Sequence, residues 1–109
     1  MFGDLGKMMK AASEMKKRMR QVQAKLEASE FSAEASDGEV RAAVNGRGRI
    51  TDIKISEKLL AGDGLDAETL ADLIKAAVSA AQGRAAEAAA EAMREATCGM
   101  DIPGMEGML

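Results

Sequence analysis

The side chains that usually carry enzyme chemistry are scarce in this sequence. There is no histidine, so the commonest general acid/base and metal ligand is missing. The single cysteine, Cys98, has no imidazole to activate it and no second cysteine for an intramolecular disulfide, which fits a reducing compartment. Glu87, Glu91 and Glu95 lie at helical spacing, and a solvated acidic face explains them more simply than a metal site. The sequence predicts a protein that is not an enzyme and has no metal or cofactor.

A glycine-rich stretch in the middle of the chain invites comparison with a phosphate-binding loop. Gly46-Arg47-Gly48 lacks the Lys-Ser/Thr ending and the following helix that such a loop requires. A tight turn between strands explains these glycines better, and we expect no small-molecule substrate. Arg47 and Arg49 at the tip of that turn are either solvated or an additional phosphate contact.

Positive charge is concentrated near the N-terminus. Residues 1–26 hold seven basic side chains against two acidic ones, a net charge of +5. Because the whole chain carries −3, the remaining residues carry −8. A partner senses charge mainly within about 10 Å at moderate salt, so this local field matters more than the total. The seven candidate DNA-binding residues are Lys7, Lys10, Lys16, Lys17, Arg18, Arg20 and Lys25.

Apolar and small residues in the same segment follow each other at alternating spacings of three and four. This heptad spacing predicts a long helix whose apolar stripe packs on another chain, on its own domain, or on both. At about 100° per residue, Lys10 and Lys17 point away from that stripe. Cations on this opposite face would bind DNA phosphates and release counterions without reading bases, although a merely solvated face is the alternative. The stripe consists of Leu5, Met8, Ala12, Met15, Met19, Val22 and Leu26.

The middle of the chain alternates apolar and polar residues, which is typical of strands. The alternation covers Phe31–Ala35, Val40–Val44 and Thr51–Ile55. Asp37-Gly38 predicts one turn, and Asn45-Gly46 predicts a hairpin turn in which both residues tolerate positive φ. We therefore expect a three-stranded antiparallel meander with one apolar face.

A second long helix is predicted after a loop or short turn over 56–64, in which Leu59 and Leu60 turn inward. Asp66 is the expected N-cap of this helix. Its apolar stripe is nearly all alanine beyond Gln82, which favours packing of the second half against another helix. The stripe is Leu70, Leu73, Ile74, Ala77, Val78, Ala81, Ala85, Ala88 and Ala92.

The order of elements predicts an α+β fold, an α-β-β-β-α protomer with two long helices. One domain is expected over 1–98, followed by a flexible Met- and Gly-rich tail over 99–109. Either both helices cover one sheet face, or one covers it while the other reaches a partner. With two Phe and no Trp or Tyr, a second copy is expected to complete the core. No signal-peptide stretch or run of about 18 apolar residues occurs, so we expect a cytoplasmic protein that does not bind membranes.

Several motifs in a characteristic order relate the chain to a known family. They are Met1-Phe2-Gly3 with the Met-rich basic helix, Val44-Asn45-Gly46, Ile53-Lys54-Ile55, Leu59-Leu60, the run 72–77, Gly99-Met100 and Pro103-Gly104. In these features, over nearly its whole length, the chain resembles the YbaB/EbfC family of bacterial nucleoid-associated proteins.

The resemblance implies a tight, tweezers-shaped homodimer whose helices engage duplex DNA. It implies weak or no sequence preference, as in some members, or a preferred short motif, as in others, and effects on nucleoid organisation and gene expression. By position it makes Lys10, Lys16, Lys17, Arg18 and Arg20 the best DNA contacts. The family also implicates its C-terminal helix, which is acidic in this chain.

Two other functions fit parts of the sequence. A small acidic dimeric chaperone or adaptor for protein segments would use the −8 remainder and the Met-rich tail. A basic Met-rich helix also suits an anionic membrane surface, but its heptad regularity and its lack of Trp or Phe over 5–26 argue against that function.

Overall fold

A computed structural model of the protein describes residues 2–62 and 65–98. The expected α-β-β-β-α order is confirmed, with one short helix added in the segment for which a loop or short turn was predicted. The predicted tail over 99–109 lies outside the described residues. The elements are α1 Phe2–Ala28, β1 Glu30–Ala35, β2 Val40–Asn45, β3 Ile50–Ile55, α2 Glu57–Ala61 and α3 Ala67–Cys98.

The three strands form an antiparallel meander in the order β1-β2-β3. On the central strand, Val40 pairs with Ala35 on one side and with Ile55 on the other. Residues paired in this way share one face of a sheet, so the alternating apolar residues form a single apolar face, as predicted.

Helix α3 lies on this apolar face and builds the core. Val40 and Val44 are fully buried, and the rest of the buried core is alanine. Ala81 and Ala85 pack against Val44 and β1, so the contact of α3 with the sheet continues three residues past Gln82. Only from Ala88 onward does α3 face α1. The buried alanines are Ala33, Ala42, Ala43, Ala77, Ala81 and Ala85.

Helix α1 does not lie on the sheet. It contacts the end of β2 and the second half of α3, and the molecule reaches 75 Å in its longest dimension. Of the two arrangements expected from the sequence, the structure has the one in which a single helix covers the sheet while the other extends away.

The turn between β1 and β2 was predicted correctly. The amide of Glu39 donates to the carbonyl of Ser36 at 3.1 Å. The two residues between them, Asp37 and Gly38, have φ values of 54° and 88°, the left-handed conformation that a type I′ turn requires at both positions.

The turn between β2 and β3 has a different form from the predicted one. The left-handed residue is Gly48, with φ 84°, and not Asn45 or Gly46. The side-chain oxygen of Asn45 instead accepts from the amides of Arg47 at 2.9 Å and Arg49 at 3.1 Å. Asn45 therefore specifies the turn through its side chain and not through its backbone conformation.

Gly46 joins this hairpin to the end of α1. Its amide donates to the carbonyl of Leu26 at 2.8 Å. A Cβ at residue 46 would lie 2.5 Å from that carbonyl oxygen and 2.6 Å from the Cβ of Leu26. Glycine is therefore required by close approach of two backbones, and the contact fixes where α1 leaves the body of the protein.

Helix α3 begins at the predicted N-cap. The Asp66 carboxylate accepts from the amide of Thr69 at 2.7 Å. Hydrogen bonds from the side chain and the backbone of Thr69 hold the pKa of Asp66 below its ordinary value of 3.8. In the preceding helix, Leu59 packs on the core, but Leu60 is 55% exposed, so the prediction that it turns inward was wrong.

Replacing Gly46 with alanine should destabilise the fold, because neither Leu26 atom can move away without displacing α1. We expect a loss of roughly 1–3 kcal/mol in the free energy of unfolding, measured by urea denaturation. Gly83→Ala is the matched control. A Cβ there meets nothing within 4 Å inside an uninterrupted helix, so this variant should gain roughly 0.5–1 kcal/mol. Equal effects of the two substitutions would contradict the close-approach explanation.

Asp66 should make the stability depend on acid pH. Because its pKa is lower in the folded state, the ionised carboxylate stabilises the fold above 3.8, and this contribution disappears as pH falls through the folded pKa. Asp66→Asn keeps the capping oxygen but does not titrate, so its unfolding free energy should fall less than that of the wild type in this range. Asp66→Ala should be less stable than both at neutral pH. Parallel acid profiles of the wild type and the Asn variant would refute this role.

Candidate nucleic-acid interface

All seven predicted basic residues lie on α1, and every one of them is exposed. The first and last, Lys7 and Lys25, are eighteen positions apart, about 27 Å along the helix axis. That distance matches the axial rise of about eight base pairs of duplex DNA. Lys10 and Lys17 lie two turns apart on one side of the helix, about 10 Å from each other. The arrangement is an extended row of positive charge.

None of these seven side chains forms an ion pair with a carboxylate in the described part of the chain. The ion pairs found there are between Arg41 and Glu34, Arg47 and Glu27, and Arg94 and Glu91. The cations of α1 are therefore open to an external anion. Arg47, a possible additional phosphate contact, is instead held by Glu27 at 2.8 Å, whereas Arg49 is exposed.

The apolar stripe of α1 is covered along only half of its length. Val22 and Leu26 are half-buried and line a cleft with Ala88 and Ala92 of α3. The two helices run antiparallel here, since Arg18, one turn before Val22, lines a recess with Ala96. Because the described α3 ends at Cys98, the first turns of α1 extend beyond it. Residues 4–10 are all exposed, including Leu5, Met8 and Met9 at 56–66%.

The cleft between the two helices has a volume of about 420 Å³. Its lining is chiefly apolar, with Phe31 from β1 joining the helix residues, and Lys25 and Glu95 are its charged groups.

The second half of α3 presents the opposite charge. Glu87, Glu91 and Glu95 are exposed, as the sequence predicted. Arg84 donates to the carbonyl of Ser32 at 2.6 Å, and Arg94 is paired with Glu91 at 2.6 Å. With three glutamates against two arginines, this half of α3 carries a net charge of −1.

Metal sites and membrane spans each have a recognisable signature, a cluster of ligating side chains for one and a long apolar helix for the other. Nowhere within 2–62 and 65–98 do three or more potential metal-binding side chains come together. None of the helices in those ranges is long and apolar enough to span a membrane.

Sequence reasoning identified the cations of α1 but missed two contacts that orient the helix. One is the approach of Gly46 to Leu26, and the other is the ion pair between Arg47 and Glu27. Both join residues about twenty positions apart, and neither residue type nor periodicity indicates such a pairing. The Asn45-Gly46 motif marks the place of the first contact, but its residue types predict a turn and not an approach to α1.

Comparison with known proteins adds independent information. The model of the YbaB/EbfC DNA-binding family matches residues 1–100. A nucleoid-associated protein of Gluconobacter oxydans is 39% identical over 100 residues, covering 92% of each chain. One from Anaeromyxobacter dehalogenans is 38% identical over 104 residues, covering 95% of this chain and 99% of the relative.

Among solved structures, uncharacterized protein HP0035 from Helicobacter pylori has a similar fold. The TM-score is 0.63, with 24% sequence identity, over 80% of this chain and 86% of that one. This similarity supports the fold and carries no information on function.

Proposed function

The chain belongs to the YbaB/EbfC DNA-binding family of nucleoid-associated proteins, and we propose that it binds duplex DNA as a homodimer through the cations of α1. The contacts are mainly to phosphates, with little sequence preference. Binding of this kind organises the nucleoid in the cytoplasm and affects gene expression without any enzymatic step. The observation that carries the proposal is the row of seven exposed cations without a carboxylate partner in the described chain.

Phosphate binding follows from the shape and charge of that row. A straight helix about 27 Å long between its outer cations can follow a backbone, and each phosphate neutralised releases condensed counterions. Within residues 2–62 and 65–98, the Lys and Arg side chains of α1 have no ion pair to give up. Affinity therefore arises without base contacts.

Low sequence specificity is supported by the residues available for base readout. The chain has no histidine for a zinc finger and no Trp or Tyr to stack on unpaired bases. Five of the seven candidate contacts lie on the helix face opposite the apolar stripe or at the edges of that opposite face. A charged row that follows a DNA backbone requires such an arrangement. Contacts of this type position a protein on DNA without reading its sequence.

The acidic surface of α3 keeps that helix away from DNA. Arg94 pairs with Glu91, whereas Glu87 and Glu95 have no ion-pair partner within residues 2–62 and 65–98, and Arg84 bonds to a backbone carbonyl. A polyanion approaching this surface meets repulsion, so the DNA contact of this protein is confined to α1. In this respect the chain departs from the family pattern, in which the C-terminal helix also contributes.

A homodimer is supported by an apolar row that α3 leaves uncovered. Ile50 and Ile53 of β3 pair with Val44 and Ala42, so they lie on the same sheet face as the core. Helix α3 covers β1 and β2 but not this third strand. Ile50 is 51% exposed, Ile53 38% and Leu60 55%. A core-facing row left open at a sheet edge is well suited to burial against a second copy.

The DNA contact is tested by neutralising cations on α1. In the triple variant Lys10→Gln/Lys17→Gln/Arg20→Gln, the slope of log affinity against log salt should become shallower by about 0.9 for each phosphate that the helix no longer neutralises. Binding should weaken to a similar extent on two unrelated duplexes. Fluorescence anisotropy of labelled duplexes over a salt series measures both quantities.

The matched control removes three cations elsewhere, in Lys54→Gln/Lys58→Gln/Lys75→Gln, all exposed and off α1. The change in net charge is the same, but the salt slope should stay close to that of the wild type. Circular dichroism checks that both variants fold. If the control variant bound DNA as weakly as the α1 variant, affinity would depend on the total charge of the protein. The assignment of the contact to α1 would then fail.

The dimer is tested on β3. Ile53→Glu places a charge in the uncovered row and should shift the sedimentation coefficient from dimer to monomer, because an unpaired charge cannot be buried in an apolar interface. Lys54→Glu puts the same residue on the opposite face of the same strand and should remain dimeric. If Ile53→Glu sedimented as a dimer like the wild type, another surface would join the two copies.

A further inference from the structure

The apolar stripe of α1 loses its cover where α3 ends. From Leu26 back to Met15 the stripe residues are half-buried, and from Ala12 back to Leu5 they are exposed. We call Leu5, Met8 and Ala12 the uncovered stripe. It continues the heptad spacing of the covered part without a break, so the same packing surface extends about three turns beyond its packing partner.

The chain itself continues at that place. Ala96 lies beside Arg18 and Val22, and α3 runs antiparallel to α1, so a chain leaving Cys98 in the direction of α3 heads along the uncovered stripe. From Arg18 to Leu5 the helix spans about 20 Å. Eleven further residues, 99–109, reach up to about 36 Å when extended. The segment is long enough to pass the whole stripe.

The composition of that segment matches the surface beside it. It holds two acidic residues, Asp101 and Glu106, and no basic one, whereas residues 1–26 carry +5. Methionine side chains adapt to irregular apolar surfaces, such as a stripe of Leu, Met and Ala. The apolar residues of the segment are Met100, Ile102, Met105, Met108 and Leu109.

We propose that residues 99–109 of this chain bind the uncovered stripe of its own α1 and continue the cover that α3 begins. Their apolar side chains pack on Leu5, Met8 and Ala12. Their two carboxylates lie near Lys16 and Arg18, which flank the stripe more closely than the other cations. Covalent attachment beside the stripe gives this segment a high effective concentration there, which a separate partner lacks.

This interaction involves Lys16 and Arg18 but leaves the cations opposite the stripe available to DNA. Lys10 and Lys17 point away from the stripe, so they stay accessible when the stripe is covered. The proposal therefore stands or fails separately from the proposed function, and its test contains no nucleic acid.

The test measures proximity in the full-length protein. A spin label is attached to Met105→Cys in a Cys98→Ser background, and broadening of amide NMR signals is recorded. We expect loss of the signals of Leu5, Met8 and Ala12. A label on Lys58→Cys in the same background, at the exposed surface of α2, should leave those signals intact.

A matched pair of substitutions tests whether the apolar face is the binding surface. Met8→Gln alters the stripe and should restore the lost signals, whereas Lys10→Gln introduces the same residue on the opposite face and should not. Both positions are exposed, so folding is preserved. Persistent broadening in Met8→Gln, or its disappearance in Lys10→Gln, would overturn the assignment to this face.

The source of the segment is established by dilution. Protein that carries both the spin label and ¹⁵N is mixed with a large excess of unmodified protein, so each labelled chain is surrounded by unlabelled copies. Broadening that persists supports binding within one chain. If dilution abolishes the broadening, the segment that contacts the stripe comes from a second copy. If the undiluted protein shows no broadening at all, the segment does not bind the stripe. Either result overturns the proposal.

Discussion

The narrow contact between the alanines of α3 and the sheet determines the rest of this structure. Ala77, Ala81 and Ala85 meet Val40 and Val44 closely because alanine adds so little to the width of a helix. A single helix about 10 Å wide covers two strands about 4.8 Å apart and not a third. The third strand keeps its isoleucines exposed, and the other long helix packs on α3 and not on the open part of the sheet.

Helix α1 is consequently held at one end only. Its last turn is fixed by the backbone contact of Leu26 with Gly46 and by the ion pair of Glu27 with Arg47. The remainder is supported by α3 as far as α3 extends. A helix of 27 residues anchored in this way projects its cations away from the body of the protein. The same arrangement that leaves part of the apolar stripe of α1 uncovered thus makes its charged surface accessible.

Much of this fold could be predicted from the sequence because local patterns determine it. Period-two alternation located the strands, heptad spacing located α1, and the Asp66 cap located the start of α3. The form of the second turn and the burial of Leu60 were predicted wrongly. The turn depends on the two amides that the Asn45 side chain bonds, and the exposure of Leu60 depends on which elements lie beside α2 in the fold.

The candidate site was more predictable than the contacts that orient it. Charge and helical periodicity together place seven cations on one helix, and neither depends on tertiary structure. Whether a basic side chain remains unpaired does depend on tertiary structure, as three arginines outside α1 show. Arg47, Arg84 and Arg94 look equally available in the sequence, but each is bonded in the fold, two of them across long sequence separations.

The separation of charge within the molecule also controls how it meets a polyanion. A protein of net charge −3 would be repelled by DNA if its charges were evenly mixed. Here the acidic surface of α3 and the basic row of α1 are parts of one elongated body, so repulsion and attraction act at different places and rotate the molecule as it approaches. In the proposed mode of binding, the orientation with α1 leading is the one that lowers the electrostatic energy. Under the proposed function the acidic remainder restricts the orientations in which the protein meets DNA, so a net charge of −3 is compatible with membership of a DNA-binding family.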